Sequence, residues 1–245
     1  MRNLLAFPVL TPCRSLALAT CLLLSPTLQA EETPAPSPTP SPTPRNDGVF
    51  VPEIARAAAA EGNSAFANND YPRARRAYKK VLDLVPDNLV ALVNLGVVEF
   101  ADGKTEEAEK LLRQAVQIRI ETAPAWLTLG MIYMDAGKQD AAIAALTQAC
   151  LYDPRNPRAR NFLGVVVGRM GWIDAAQVEL RKAVEIDPNY SDAHYNLAVF
   201  YLERKPPSTE LARRHYYRAV ELGVEPDPDI EAALKKAPET TKAKP

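Results

Sequence analysis

A spacing of 34 residues constrains this chain more than any other feature of its sequence. The pairs Leu95-Gly96, Leu129-Gly130, Leu163-Gly164 and Leu197-Ala198 follow one another at this interval, and Gly62 lies 34 residues before Gly96. Alanine recurs twelve residues after each of the four glycine positions, at Ala74, Ala108, Ala142 and Ala176. A repeat of this length predicts an array in which each unit is one supersecondary motif stacked on its neighbours.

Each unit has the pattern of a helical hairpin. One apolar stripe with helical spacing is followed by a short turn, a second stripe and, in three units, a proline that ends the helix. Small residues occupy the positions where two helices have to cross closely, and the turns carry residues that tolerate a left-handed backbone. These turn residues are Asn69, Gly103, Gly137 and Gly171.

The third unit carries the fullest set of recurring residues, namely Trp126, Leu129, Gly130, Tyr133, Ala142, Ala149 and Pro154. With this set the sequence resembles the tetratricopeptide repeat family. The resemblance implies an all-α fold, a right-handed α-solenoid of about five tandem helix-turn-helix repeats within residues 53–226. The expected repeats are 55–88, 89–122, 123–156, 157–190 and 191–225.

The fifth repeat departs from the family pattern, because residues 204–209 lengthen its internal turn. Beyond this repeat, the segment Asp227-Pro228-Asp229 has the acidic residues and the proline that are typical of a helix start. We therefore predict a capping helix over 227–237, which would cover the apolar face of the last hairpin. A disordered tail is expected over 238–245.

Residues 1–30 have the order of a secretory signal peptide. Arg2 and Arg14 supply positive charge, residues 15–24 form an almost unbroken apolar run, and Ala30 offers a small residue at the expected cleavage point. The run is too short to span a bilayer, so we expect cleavage after Ala30 and an exported, periplasmic or secreted protein. A second interpretation is lipidation of Cys21, which would anchor the protein to a membrane. Membrane contact is expected only in that case, or if the leader is retained.

Residues 31–52 form a proline-rich linker, with proline at every second position from Pro34 to Pro44. Proline lacks a backbone donor and fixes φ, so we expect a disordered, extended spacer here. Removal of the leader would leave Cys150 as the remaining cysteine. Its apolar helical surroundings predict a small buried hydrophobe rather than a nucleophile or a metal ligand.

Composition and motifs exclude several classes of function. The 29 basic and 30 acidic side chains nearly cancel, whereas nucleic-acid-binding proteins carry a clustered positive excess. The sequence has no phosphate-binding loop, dinucleotide fingerprint or HExxH motif, and the two histidines, His194 and His215, lack the neighbours of a catalytic or metal site. We therefore expect a protein that is not an enzyme, has no metal or cofactor and does not bind nucleic acid.

The family resemblance also implies a binding surface. In the family, the first helix of each hairpin lines a concave groove that accepts peptides or helices. Transferred to this chain, the groove positions are Asn63, Val93, Asn94, Val97, Phe100, Leu127, Met131, Met134, Asn161, Phe162, Val165, Tyr195, Asn196 and Val199. Their largely apolar character predicts that the ligand is an apolar or amphipathic segment of another protein. The protein would then be an interaction scaffold of the cell envelope or, alternatively, a membrane-tethered adaptor. The competing interpretation, for about half of these side chains, is shared core between adjacent hairpins.

Some members of the family clamp a C-terminal carboxylate with two asparagines and three basic residues. Asn63 and Asn94 match the asparagine positions, but Ala59, Pro124 and Thr128 stand where the cations would be. Without those cations a carboxylate would lose most of its electrostatic anchor. We therefore do not expect this groove to bind acidic C-termini.

Overall fold

The computed structural model describes residues 52–236, and all regular structure within them is α-helical. The helices in chain order are α1 Glu53–Ala67, α2 Tyr71–Leu84, α3 Leu89–Ala101, α4 Thr105–Ile118, α5 Ala123–Asp135, α6 Gln139–Tyr152, α7 Pro157–Arg169, α8 Ile173–Ile186, α9 Ser191–Glu203, α10 Thr209–Glu221 and α11 Pro228–Lys236. This confirms the expected fold class, an all-α solenoid of helical hairpins. The predicted leader with its cleavage point at Ala30, Cys21, nearly all of the linker and the tail lie outside the described residues.

The described residues form two compact units, one ending at Leu111 and the other beginning at Leu112. The first unit contains the hairpin α1–α2 and helix α3, and the second contains the hairpins α5–α6, α7–α8 and α9–α10 followed by α11. The boundary falls within α4, and each unit has its own hydrophobic core. In 52–236, no helix combines the length and hydrophobicity that crossing a membrane requires.

Local sequence signals start the helices and turn the chain between them. Asn88 caps α3 by accepting a hydrogen bond from the backbone N–H of Ala91 at 2.9 Å, and Asn156 caps α7 in the same way. Such caps satisfy donors that the first helical turn leaves unpaired. The turns inside the hairpins take a left-handed backbone, with φ of 57° at Asn69 and 69° at Gly137. Both turn positions are those that the sequence predicts.

A glycine on the first helix sets the distance between the two helices of a hairpin. A Cβ on Gly130 would lie 2.5 Å from the side chain of Leu146, and a Cβ on Gly164 would lie 2.7 Å from Leu180. Both leucines are fully buried. A larger side chain at either glycine would force these well-packed helices apart, which explains why glycine recurs at this position.

The last hairpin is well packed despite the longer turn between α9 and α10. Tyr216 of α10 is fully buried, and α11 adds Ile230 and Leu234 to the same core. Asp227 accepts the first backbone N–H groups of α11, and its carboxylate also accepts a hydrogen bond from Tyr195 Oη at 2.6 Å. The segment after the last hairpin is therefore attached by both apolar and polar contacts.

Candidate interaction surface

The first helices of the three hairpins in the 112–236 unit lie side by side. Helix α7 contacts α5 on one side and α9 on the other, and Asn196 Nδ2 of α9 donates to Asn161 Oδ1 of α7 at 2.9 Å. The second helices α6, α8 and α10 pack against first helices and make little or no contact with one another. Because neighbouring first helices are the closer set, they form the inner side of this unit's stack.

One stripe of residues on each first helix shares a face. Side chains at i, i+4, i+7 and i+11 lie along one side of a helix, and on α7 these are Arg158, Phe162, Val165 and Arg169. The residues 34 positions before and after give matching stripes on α5 and α9. The first-helix face, as we call it, comprises Pro124, Thr128, Met131, Asp135, Arg158, Phe162, Val165, Arg169, Asp192, Asn196, Val199 and Glu203.

The first-helix face is apolar or neutral in its middle and charged at its two ends. Phe162 and Met131, in the middle, are half-buried and pack against the unit's core. Arg158 and Asp192 lie near the N-terminal ends of their helices, and Asp135, Arg169 and Glu203 are the last residues of α5, α7 and α9. Sequence analysis did not single out these five charged residues, although the 34-residue spacing relates them.

Two of the three carboxylates lie near an arginine. Burial raises the pKa of Asp135 and the charge of Arg169 opposes this effect, while burial raises the pKa of Asp192 and Arg158 opposes it there. Both aspartates reach solvent and are nevertheless partly desolvated by the atoms around them. The arginine charges therefore partly compensate these two carboxylates.

Glu203, the third carboxylate, has no arginine in this relation to it among the described residues. Burial raises the pKa of its carboxyl, and no charge in the described part of the chain opposes the effect. Within the described residues, Glu203 Oε1 and Arg158 Nη1 are buried atoms without a hydrogen-bond partner. Buried polar atoms without partners cost free energy, and most such atoms in folded proteins are satisfied. The two ends of the first-helix face therefore have unused hydrogen-bonding capacity.

The fourteen residues that sequence analysis assigned to a groove divide equally by burial. Buried in the packing of their own unit are Val93, Asn94, Val97, Leu127, Asn161, Val165 and Val199. Half-buried, with surface that a ligand could contact, are Asn63, Phe100, Met131, Met134, Phe162, Tyr195 and Asn196. The buried set, which includes Val165 and Val199 of the first-helix face, belongs to the core because the first helices pack on both their hairpin partners and their neighbours. The half-buried set supplies the candidate contacts.

In the 52–111 unit, the two asparagines of the family's clamp positions bind each other. Asn63 Oδ1 accepts hydrogen bonds from Tyr78 Oη at 2.6 Å and from Asn94 Nδ2 at 3.4 Å. Burial raises the pKa of Tyr78 to about 12, so its hydroxyl stays protonated and donates at neutral pH. These amide groups are thus engaged within the protein.

A charged cluster in the same unit is also internally paired. Arg75 of α2 donates to both carboxylate oxygens of Glu99 on α3, with its Nε at 2.7 Å and 2.9 Å from them, and its Nη2 lies 2.5 Å from Asp102. Lys104 Nζ is 3.0 Å from Asp102. Hydrogen bonds from Lys104 and Arg75 hold the pKa of Asp102 below its usual range. Glu99 is only 3% exposed, so this network closes around it.

The histidines and the cysteine take structural positions. His194 Nε2 lies 3.1 Å from the carbonyl of Pro188 and His194 Nδ1 lies 2.9 Å from His215 Nδ1. Burial lowers the pKa of His215 to about 4 and raises the pKa of Cys150 to about 11, so both are neutral at physiological pH. In the part of the chain that the structure describes, no group of three or more metal-ligating side chains comes together.

Comparison with protein families and structures defines what the chain is similar to. Models described as tetratricopeptide repeat match residues 59–123, 99–165, 157–190 and 179–220. The chain belongs to the tetratricopeptide repeat (TPR) family. These matches run through every hairpin of the described TPR array. A search of curated protein sequences finds no match.

Solved structures share the TPR fold. A crystal structure of the MamA protein matches with a TM-score of 0.58 and 26% identity, covering 72% of this chain and 99% of that one. PilF of Pseudomonas aeruginosa matches with a TM-score of 0.65 and 19% identity over 71% of this chain and 78% of that one. YrrB, described as a TPR protein with an unusual peptide-binding site, matches with a TM-score of 0.57 and 21% identity over 76% and 100% of the two chains. At those identities, PilF and YrrB show a common fold alone.

Proposed function

We propose that this TPR protein is a non-enzymatic interaction scaffold that holds an apolar or amphipathic segment of a partner protein against the first-helix face. Membership of the TPR family supports the coarser statement, since the fold presents helix surfaces to other proteins. The segment's character follows from the face itself, which is apolar or neutral between charged ends. An extended or helical segment with apolar side chains would bury that middle.

The observation that carries the proposal is the half-buried apolar surface of Met131 on α5 and Phe162 on α7, two adjacent first helices. Methionine is flexible and polarizable, so it adapts to the shape of a bound side chain. At the margins, Arg158 and Glu203 each keep a buried polar atom without a partner in the described residues. Apolar contact area beside unused hydrogen-bonding groups is the composition of a recognition surface.

Two substitutions on the face and one elsewhere test the proposal. Phe162→Asp and Met131→Asp place a carboxylate in the apolar middle, whereas Leu151→Asp places it on an exposed residue of α6, a second helix, where the leucine is 61% exposed. In affinity purification of the full-length protein from its own cells, we expect the first two variants to lose the wild-type partners and Leu151→Asp to retain them. Circular dichroism confirms that each variant is folded. Retention of the partners by folded Phe162→Asp and Met131→Asp would refute the proposal.

We further propose that the protein is exported and works in the cell envelope, with the proline-rich segment as a spacer. The charged, apolar and small-residue order of residues 1–30 supports this. Mass spectrometry of the mature N-terminus tests it: a chain that begins at Glu31 supports a free periplasmic or secreted scaffold. Acylated Cys21 would indicate the membrane-tethered adaptor instead, and an intact Met1 would contradict cleavage.

A further inference from the structure

Glu203 is the acidic side chain of the first-helix face whose charge is not compensated by any residue in the described range 52–236. Arg169 and Arg158 act on Asp135 and Asp192 respectively. The adjacent Arg204 directs its Nε toward Asp174, at 3.6 Å. The carboxylate of Glu203 keeps a buried oxygen without a hydrogen-bond partner in the described residues.

The position of Glu203 at the end of its helix further destabilises its charged form. Glu203 is the last residue of α9, and the unpaired carbonyl groups at the C-terminal end of a helix create a negative potential. Negative side chains are stabilising at the other end of a helix and unfavourable here. Desolvation, a missing hydrogen bond and the helix end therefore all oppose the charged form of this side chain. One positively charged group beside it would donate the missing hydrogen bond and offset the cost of desolvation and of the helix end by its charge.

We infer that the first-helix face recognises a partner segment that places a lysine or arginine side chain against Glu203, while the segment's apolar side chains pack on Phe162 and Met131. This inference rests on the proposed function and adds the charge of the ligand to it. An ammonium or guanidinium group would donate to the unpartnered Oε1, and charge-assisted hydrogen bonds of this kind are stronger than neutral ones. The cation would also meet the carbonyl end of α9.

A selection experiment reads out the recognised chemistry without knowledge of the natural partner. A displayed library of random 12-residue peptides is selected on the full-length protein, and peptides that also bind the Phe162→Asp variant are discarded. We expect lysine or arginine to be enriched at a fixed distance from apolar residues among the remaining peptides. When the selection is repeated on the Glu203→Gln variant, the enrichment of lysine or arginine should disappear. On the Glu203→Lys variant, aspartate or glutamate should be enriched instead. The matched control Glu185→Gln, at an exposed position on α8, should select the wild-type pattern.

A double-mutant cycle on one selected peptide then measures the pair. Changing the enriched lysine or arginine of the peptide to glutamine should weaken binding to the wild-type protein about tenfold, as expected for a close interfacial charge pair. The same peptide change should alter binding to Glu203→Gln by less than about twofold. Fluorescence anisotropy with labelled peptides gives both dissociation constants.

The outcomes separate this inference from the proposed function. If Phe162-dependent peptides are recovered but lack basic enrichment, or keep it on Glu203→Gln, the face binds peptides and the role of Glu203 is wrong. If the library yields no peptide that depends on Phe162, the proposed function fails and the role of Glu203 fails with it. Loss of the enrichment on Glu203→Gln together with its reversal on Glu203→Lys supports both.

Discussion

The two units of this chain differ in how carboxylates on their first helices are paired. In the 52–111 unit, Glu99 is buried and both of its oxygens are bound by Arg75, with Asp102 and Lys104 extending the network. In the 112–236 unit, Glu203 keeps a buried oxygen for which the described residues provide no partner. The same kind of side chain, on the same kind of helix, is thus internally paired in one unit and unpaired in the other.

This difference separates a structural role from a recognition role. A carboxylate that is already held by an arginine fork has little hydrogen-bonding capacity left for a ligand. A carboxylate that is desolvated and unpaired destabilises the free protein, and it gains most when a partner supplies a cation. The comparison therefore assigns Glu99 to the stability of its unit and Glu203 to binding, and three substitutions test that assignment.

The largest effect is expected when the closed network is broken. Arg75→Ala would leave the buried Glu99 carboxylate uncompensated, and we expect a loss of about 3 kcal/mol in the free energy of unfolding, typical of removing one partner of a buried ion pair. Urea unfolding followed by circular dichroism measures it. The control Arg73→Ala removes an exposed pair with Glu61, at 2.9 Å, and should change the free energy of unfolding far less, because solvent screens exposed ion pairs. Equal costs for the two variants would contradict a structural role for the Glu99 network.

The second-largest effect is expected at Glu203, where a substitution should increase the free energy of unfolding. The pKa of Glu203 is raised by burial, so the stability that this group contributes is present below its unfolded pKa and is lost as the pH rises through its folded pKa. Glu203→Gln should therefore raise the free energy of unfolding at pH 7 by about 1 kcal/mol, and the gain should vanish toward acidic pH. Thermal unfolding between pH 4 and pH 8 checks this, with Glu185→Gln as the control. Destabilisation of Glu203→Gln at pH 7 would mean that the carboxylate has a favourable partner in the free protein.

The smallest change in the free energy of unfolding is expected at Asp102. Hydrogen bonds from Lys104, and to a lesser extent from Arg75, lower the pKa of its carboxyl. A lowered folded pKa contributes stability above the unfolded pKa that is lost as the pH falls through the folded pKa. Asp102→Asn should therefore destabilise the protein at neutral pH by less than about 1 kcal/mol, and the difference from wild type should close in acid. The same thermal unfolding series measures it. A difference that grows in acid would contradict the pairing of Asp102.

The sequence predicted the features that repeat, because the repeating contacts are local. Spacing predicts that Gly130 lies where two helices cross closely, and backbone preference predicts a left-handed turn at Asn69; the structure has both. Val97 and Leu127 occupy positions that line a groove in the family, and the structure buries them in this chain. From sequence alone, such a position does not reveal how closely adjacent first helices pack.

The charged ends of the first-helix face illustrate a second limit. Arg158 and Glu203 are ordinary charged residues at helix ends in the sequence, where solvated side chains are the rule. What distinguishes them is the absence of partners for particular buried atoms within the described residues, and that depends on every neighbouring helix. The 34-residue spacing could have grouped Asp135, Arg169 and Glu203 as one row, but it could not show which of them lacks a counter-charge.

Site-specific photocrosslinking tests the central claim, that the first-helix face binds the partner, most directly. A photoreactive benzoylphenylalanine replaces Met131 on the face or Leu151 on the exposed side of α6, and the protein is irradiated in its own cells. We predict a discrete adduct from position 131 that the additional substitution Phe162→Asp abolishes, and no such adduct from position 151. The same adduct from position 151, or an adduct at position 131 that persists in Phe162→Asp, would place the partner elsewhere on the protein.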